Sequence, residues 1–259
     1  MRLVASTSLL VAAVAACTSL TADPAASYTP NPLGTGLRIA QVQDPKSPDY
    51  APGQNVILTS TVVTWIDTFD ETQDGKSIGN VFIQDVGSQA PYSGMTVYEA
   101  SYIPSSLHLL PGDVLDFNGP YQEETSVGSA DFPAGQTLPQ LSKPIGTFRY
   151  QFQAPPPVTI QLSDIDQSNY LTGRKWEGML VTVNDITVGP GVNSDGRVTY
   201  IMSQGDAEAD TNAAEIDNEL YDLKSTDFTN GTHFTSVTGI VTWFYSYHIA
   251  PRSAADLQQ

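Results

Sequence analysis

Beyond residue 36, no long stretch of this chain sustains the 3.6-residue period of an amphipathic helix. Short runs rich in Val, Ile, Thr, Tyr and Phe instead alternate polar with apolar residues, and Gly, Pro, Asn and Asp cut them apart. A chain written this way buries its apolar side chains by pairing strands, so the expected fold is all-β. Strands are expected at residues 37–42, 56–65, 80–85, 95–98, 114–121, 148–153, 179–188, 199–203 and 234–245. Helical turns are expected at 163–170, 212–223 and 253–257.

Ala154-Pro155-Pro156-Pro157 is the clearest internal boundary, because consecutive prolines favour an extended helix and cannot sit inside a central strand. The two sides of it read alike. Each has a long strand, a hairpin partner ending in acidic residues, a variable excursion, and a second long strand holding a glycine (Gly119, Gly239). Each closes with a short stretch containing Pro. That order points to an internal duplication. The glycines within strands mark the bends a small barrel needs to close.

Three motifs carry a family likeness. Phe82-Ile83-Gln84-Asp85 is similar to a Phe-[Ile/Leu]-Gln-Asp strand; Pro111-Gly112-Asp113-Val114 with Asn118-Gly119 is similar to a turn and long strand. Trp176-Glu177-Gly178-Met179-Leu180-Val181 with His248-Ile249-Ala250-Pro251-Arg252 resembles the start and end of a second copy. Together they resemble the OB-fold-like domains of bacterial extracellular nucleases and surface lipoproteins. The resemblance implies two tandem OB-fold-like small β-barrels, residues 37–153 and 158–259, joined by a Pro-rich linker at 154–157. Barrels of this kind bind oligonucleotides or oligosaccharides across their second and third strands. The closing Thr137-Leu138-Pro139-Gln140-Leu141 of the first copy is less typical, and residues 199–203 of the second lack the Gln-Asp pair.

The N-terminus carries a second likeness. Arg2 precedes an apolar run from Leu3 to Ala16, too short to span a bilayer, ending in Val14-Ala15-Ala16-Cys17 with the sole cysteine of the chain. This resembles the lipobox of bacterial lipoproteins. It implies a signal peptide at 1–16 and lipidation of Cys17, which becomes the first residue of an exported, membrane-anchored protein. Thr18 in place of Asp implies, by the family's sorting rule, the outer membrane of the cell envelope rather than the inner. Residues 17–36, rich in Thr, Ser, Ala, Pro and Gly, hold too little apolar surface to order themselves and read as a flexible tether.

The net charge of −17 opposes binding of a phosphate backbone unless cations gather on one face, and Lys and Arg are scattered singly apart from Arg174-Lys175. A single cysteine excludes a disulfide framework and a cysteine-based zinc site. His108, His233 and His248 are isolated, and no Gly-x-Ser-x-Gly elbow, His-Glu-x-x-His helix or phosphate-binding glycine loop occurs. No catalytic residues are therefore assigned.

Two sets of residues are candidates for binding. Tyr92, Tyr98, Tyr102, Tyr245 and Tyr247 could stack on sugars or bases, or pack the barrels; Trp65, Trp176 and Trp243 are expected in the core. Asp67, Asp70, Glu71 and Asp74, ahead of Gly75, form an acidic loop that could hold calcium or stay solvated, and Asp206, Glu208 and Asp210 form another. Neither has EF-hand spacing. The expected function is a non-catalytic, lipid-anchored binding or scaffold protein presenting its barrels to a glycan or envelope protein. The alternative is an accessory nucleic-acid binder or weak extracellular nuclease.

Overall fold

The computed structural model describes residues 34–259 except 74, 76–78, 128–129 and 206–212. The expected signal peptide, Cys17, Asp74 and the group Asp206, Glu208 and Asp210 lie outside the described residues. The described chain opens with helix α1 (Ile39–Gln43). It continues through β1 (Asn55–Ile66), β2 (Val81–Asp85), β3 (Gly94–Tyr98), β4 (Ser101–Ile103), β5 (Asp113–Glu124), β6 (Ser126–Val127), β7 (Ala130–Asp131), β8 (Leu138–Ser142) and β9 (Ile145–Gln151). Next come β10 (Val158–Thr159), helix α2 (Tyr170–Gly173), β11 (Leu180–Ser194), β12 (Arg197–Gln204), β13 (Glu215–Asp217), β14 (His233–Trp243), β15 (Tyr247–Ala250) and β16 (Leu257–Gln258). The fold is all-β.

Two sheets repeat one wiring. In the first, β1, β2, β3, β8 and β5 follow one another and β5 returns to β1, closing a five-stranded barrel; the β3–β8 contact is the parallel one. In the second, β11, β12, β13, β15 and β14 follow the same order, β14 returns to β11, and β13 runs parallel to β15. Numbering strands within each barrel gives the ring 1-2-3-5-4-1, an OB-like Greek key, on both sides of the prolines. Gly119 and Gly239 occupy matching places on the fourth strands. A Cβ at Gly119 would meet Pro144 at 2.6 Å and one at Gly239 would meet Ala250 at 2.5 Å, so both barrels close over a bare backbone.

Strand alternation sorts each core. Val81, Ile83, Met95, Val97, Leu115, Phe117 and Tyr121 fill the first barrel. Val181, Val183, Val198, Tyr200, Met202, Ile216, Val237 and Ile249 fill the second, with Trp176 and Trp243. The other face of β2 and β3 is also buried. Phe82 packs with Leu180, Leu220, Ile240 and Ala250 of the second barrel, and Gln84 Oε1 accepts from the Leu180 N–H. Gly94 meets Gly178 backbone to backbone, where a Cβ on Gly94 would lie 2.5 Å from the Gly178 carbonyl carbon. Arg174 ties the halves further, donating to Gln43 O, the Tyr121 hydroxyl and Glu123.

Three local expectations are corrected. Residues 37–42 are not a strand: Ile39 and Val42, three apart, bury one side of α1, and Asp85 accepts from the N–H groups of Ile39 and Ala40 at 2.9 and 3.2 Å. The helix expected over 212–223 is replaced, in its described part, by β13. There Ile216 enters the core while Glu215 and Asp217 turn away from it, a period of two. The end of the tether is also docked, since Gly34 N–H donates to Asp116 Oδ2 at 2.7 Å and Gly34 O accepts from Thr59 Oγ1 at 2.8 Å. Among the described residues no helix is long and apolar enough to cross a membrane.

Candidate functional site

An OB-like barrel receives its ligand on the outer face of strands two and three, flanked by the loops after strands one and four. In the first barrel that face is β2–β3, and the second barrel covers it. In the second barrel the face is β12–β13, and it borders a cleft of about 310 Å3. Arg197, Thr199, Glu215 and Asp217 alternate with the core residues Val198, Tyr200 and Ile216 and so line this cleft. Phe244, Tyr245 and Ser246, the turn between β14 and β15, form its rim. His248, opposite Glu215 in the parallel β13–β15 register, forms its floor. The first barrel adds Glu71 from the loop after β1.

Negative charge dominates the cleft. Glu71 pairs with Arg197 at 3.3 Å, and the Arg197 guanidinium lies 4.6 Å from the centre of the Phe244 ring. His248 Nε2 stands 3.4 Å from Glu215 and 3.0 Å from Ser246 Oγ, and Nδ1 stands 3.6 Å from Asp217. Burial pushes the Asp217 carboxyl above its usual range, with His248 pulling the other way. Burial also pushes Glu219 well up, aided by the charges of Asp217, Asp67 and Glu71. Carboxylates flanked by aromatic faces accept hydrogen bonds from hydroxyls and attract cations, and they repel phosphate.

Ser246, His248 and Asp217 stand in the order of a nucleophilic triad. The 3.6 Å gap at Nδ1 is too long for a hydrogen bond, and Nε2 is shared with Glu215. The row therefore presents acceptors and a fixed imidazole rather than an activated serine. The chain matches no protein-family model, no curated protein and no solved structure.

The tyrosines read from the sequence line no common cavity. Tyr245 belongs to the cleft, partly exposed at φ +62°, its ring edge-on to Phe132 and Phe244 at 5.2 and 4.9 Å. Tyr98 lines a separate cavity between the barrels. Tyr92 lies 5.8 Å from the Arg174 guanidinium. Tyr102 packs on the first core, where burial raises its hydroxyl to about 12. Tyr247 cannot meet a ligand: it is fully buried, stacked on Tyr170, and donates to Tyr170 O.

The described members of the acidic loop diverge. Asp67 is buried, accepting from the Phe69 N–H at 3.3 Å; Asp70 accepts from the Gly75 N–H at 2.8 Å; Glu71 takes Arg197. Among the described residues no group of three His, Cys, Asp or Glu side chains is placed to hold a metal ion, so calcium is not carried further.

Sequence reasoning passed over Arg197, Glu215, Asp217 and Phe244. The signal available was the alternation of 215–217, which sends both acids to the face opposite Ile216, and the Phe-Tyr-Ser turn between two apolar strands.

Proposed function

We propose that this chain is a non-catalytic, lipid-anchored binding protein of the cell envelope, tethered through Cys17, which presents the second barrel's cleft to a glycan. The observation that carries this reading is that the ligand face of one OB-like barrel is open, anionic and rimmed by Phe244 and Tyr245, while that of the other is covered. Sugar hydroxyls match a wall of carboxylate and hydroxyl acceptors, and sugar rings match exposed aromatic faces. Anchoring at the outer membrane follows from the lipobox likeness. An envelope protein offering a hydroxyl-rich or basic segment is the other partner that suits such a wall.

The test presents the full chain to an array of envelope and extracellular oligosaccharides and, separately, to single-stranded DNA at low salt. Saturable binding of an oligosaccharide is expected, weakened roughly fivefold in Tyr245→Ala by loss of about 1 kcal/mol of stacking. Salt-sensitive DNA binding would replace this reading with the nucleic-acid one. Ester hydrolysis abolished in Ser246→Ala would make the protein an enzyme.

A further inference from the structure

The two barrels leave a cavity of about 160 Å3 between them, distinct from the glycan cleft though bordered in part by the same Arg197, Glu219 and Phe244. Its walls come from both halves: Asn80, Phe82 and Tyr98 from the first, Glu177, Thr242 and Trp243 from the second. The residues around it hold an unusual concentration of unsatisfied polar atoms. Asn80 Oδ1 and Trp243 Nε1 are buried without a hydrogen-bond partner, the Glu177 carboxyl has none besides the Tyr247 hydroxyl, and Thr242 Oγ1 has none besides Glu219. Glu177, Trp243 and Thr242 are only 2, 3 and 7 % exposed. Buried polar groups in folded proteins are nearly all paired, so orphans gathered around one cavity call for an occupant.

Most of these orphans are acceptors. Glu177 and Asn80 supply three acceptor atoms, and Glu219 adds a further carboxyl to the wall. The cations nearby already have partners, Arg174 in Glu123 and the Tyr121 hydroxyl and Arg197 in Glu71, although the Arg174 charge still acts on Glu177. Phe82, Tyr98, Trp243 and Phe244 supply ring faces. Carboxylates and carbonyls with aromatic walls make the environment that an alkylammonium group seeks, by charge-assisted hydrogen bonds and by cation–π attraction. No three side chains meet as metal ligands among the described residues, which favours an organic cation over a metal ion.

We propose that the cavity between the barrels is a binding site for a small primary amine, whose ammonium group is received by Glu177 and Glu219 against the ring faces of Phe82, Tyr98 and Trp243. Seating the cation requires both carboxyls to be ionised. Burial holds the Glu177 carboxyl up; Glu123 adds to this, while Arg174 and the Tyr247 hydroxyl oppose it. Burial and the charges of Asp217, Asp67 and Glu71 hold Glu219 up, opposed by the Thr242 hydroxyl. Binding therefore expels protons, and affinity rises with pH.

The experiment titrates the full chain with 1,4-diaminobutane and with its neutral isostere 1,4-butanediol by calorimetry, in two buffers of different ionisation enthalpy. Saturable heat from the diamine alone is expected, differing between buffers in the sense of proton release. Glu177→Gln and Glu219→Gln should each weaken diamine binding at least tenfold, while Tyr245→Ala, in the glycan cleft, leaves it unchanged. If Glu177→Gln fails to fold, Glu219→Gln decides alone. Absence of diamine binding, equal binding of the diol as from a cavity filled by water or polyols, or wild-type affinity in the folded variants would each overturn the proposal. Glycan binding is read separately through Tyr245, so either result stands without the other.

Discussion

Asp67 shows how one carboxylate links the sequence to the behaviour of the whole protein. It ends the long first strand and is sealed by barrel packing, with Oδ1 on the Phe69 N–H and Oδ2 unpartnered, near Glu71 and Asp217. Burial lifts its carboxyl from 3.8 to about 7. The folded state therefore keeps a proton that the unfolded chain gives up near pH 4, and this contribution to stability is present at low pH and lost as pH rises from 4 to 7. Asp85 acts in the same direction, raised by burial to about 6. Urea melts at pH 5 and pH 8 should show the wild type less stable at pH 8, by about 2–3 kcal/mol from Asp67. Asp67→Asn should remove that part of the slope and be the more stable protein at pH 8. Parallel slopes in the two proteins would show that Asp67 titrates normally. The sequence displayed Asp67 as one of four loop acids; nothing in its spacing revealed that it and Glu71 are buried, because the seal comes from distant residues.

Among the elements, β3 and the turn leading into β11 meet backbone to backbone. Gly178 sits at φ +74° with its Cα against β3, and a Cβ there would lie 2.6 Å from the Met95 nitrogen. Gly178→Ala is expected to cost about 2–4 kcal/mol, combining a left-handed backbone with a backbone clash. Gly53→Ala, at φ +75° but facing open space, should cost only about 1 kcal/mol by strain alone. Denaturant midpoints compare the two, and equal losses would mean that the barrels do not bear on each other at Gly178.

The long strands were legible because their alternation persists through eight or more residues; β1, β5, β11 and β14 stand close to where pattern alone put them. Of the short elements, β2 and β3 also stand within a residue of where they were expected, but others were not legible. Leu37, Ile39 and Val42 satisfy both a strand and a helical reading, and the carboxylate of Asp85, over forty residues away, decides for the helix. Pro139 hid β8, yet a proline near a strand's start is tolerated, and the parallel pairing with β3 begins only at Gln140. Ala213 to Leu220 reads as helix by propensity, but Glu215 and Ile216 pair with His248 and Ile249, a partner no local window contains. The cleft was hidden with them, since it is made where β13 and β15 meet.

For the whole molecule, the anchor makes the plainest prediction. Cells fed an acyl-chain label should incorporate it into the wild-type protein, which fractionates with membranes, whereas Cys17→Ser should take no label and move to the soluble fraction. Label in the variant, or wild-type protein free in solution, would contradict the lipobox reading. Anchorage also bears on how strongly the protein holds its target. Although it contains two barrels, the outer face of β2 and β3 is spent on holding the halves together, so among the described residues only the second barrel keeps its OB-like face open. A tandem protein with two open faces could hold a polymer twice and gain avidity within one chain. On the proposed reading this chain holds its glycan through one face, and strong adhesion to a repeating polymer would then come from the number of copies side by side in the membrane.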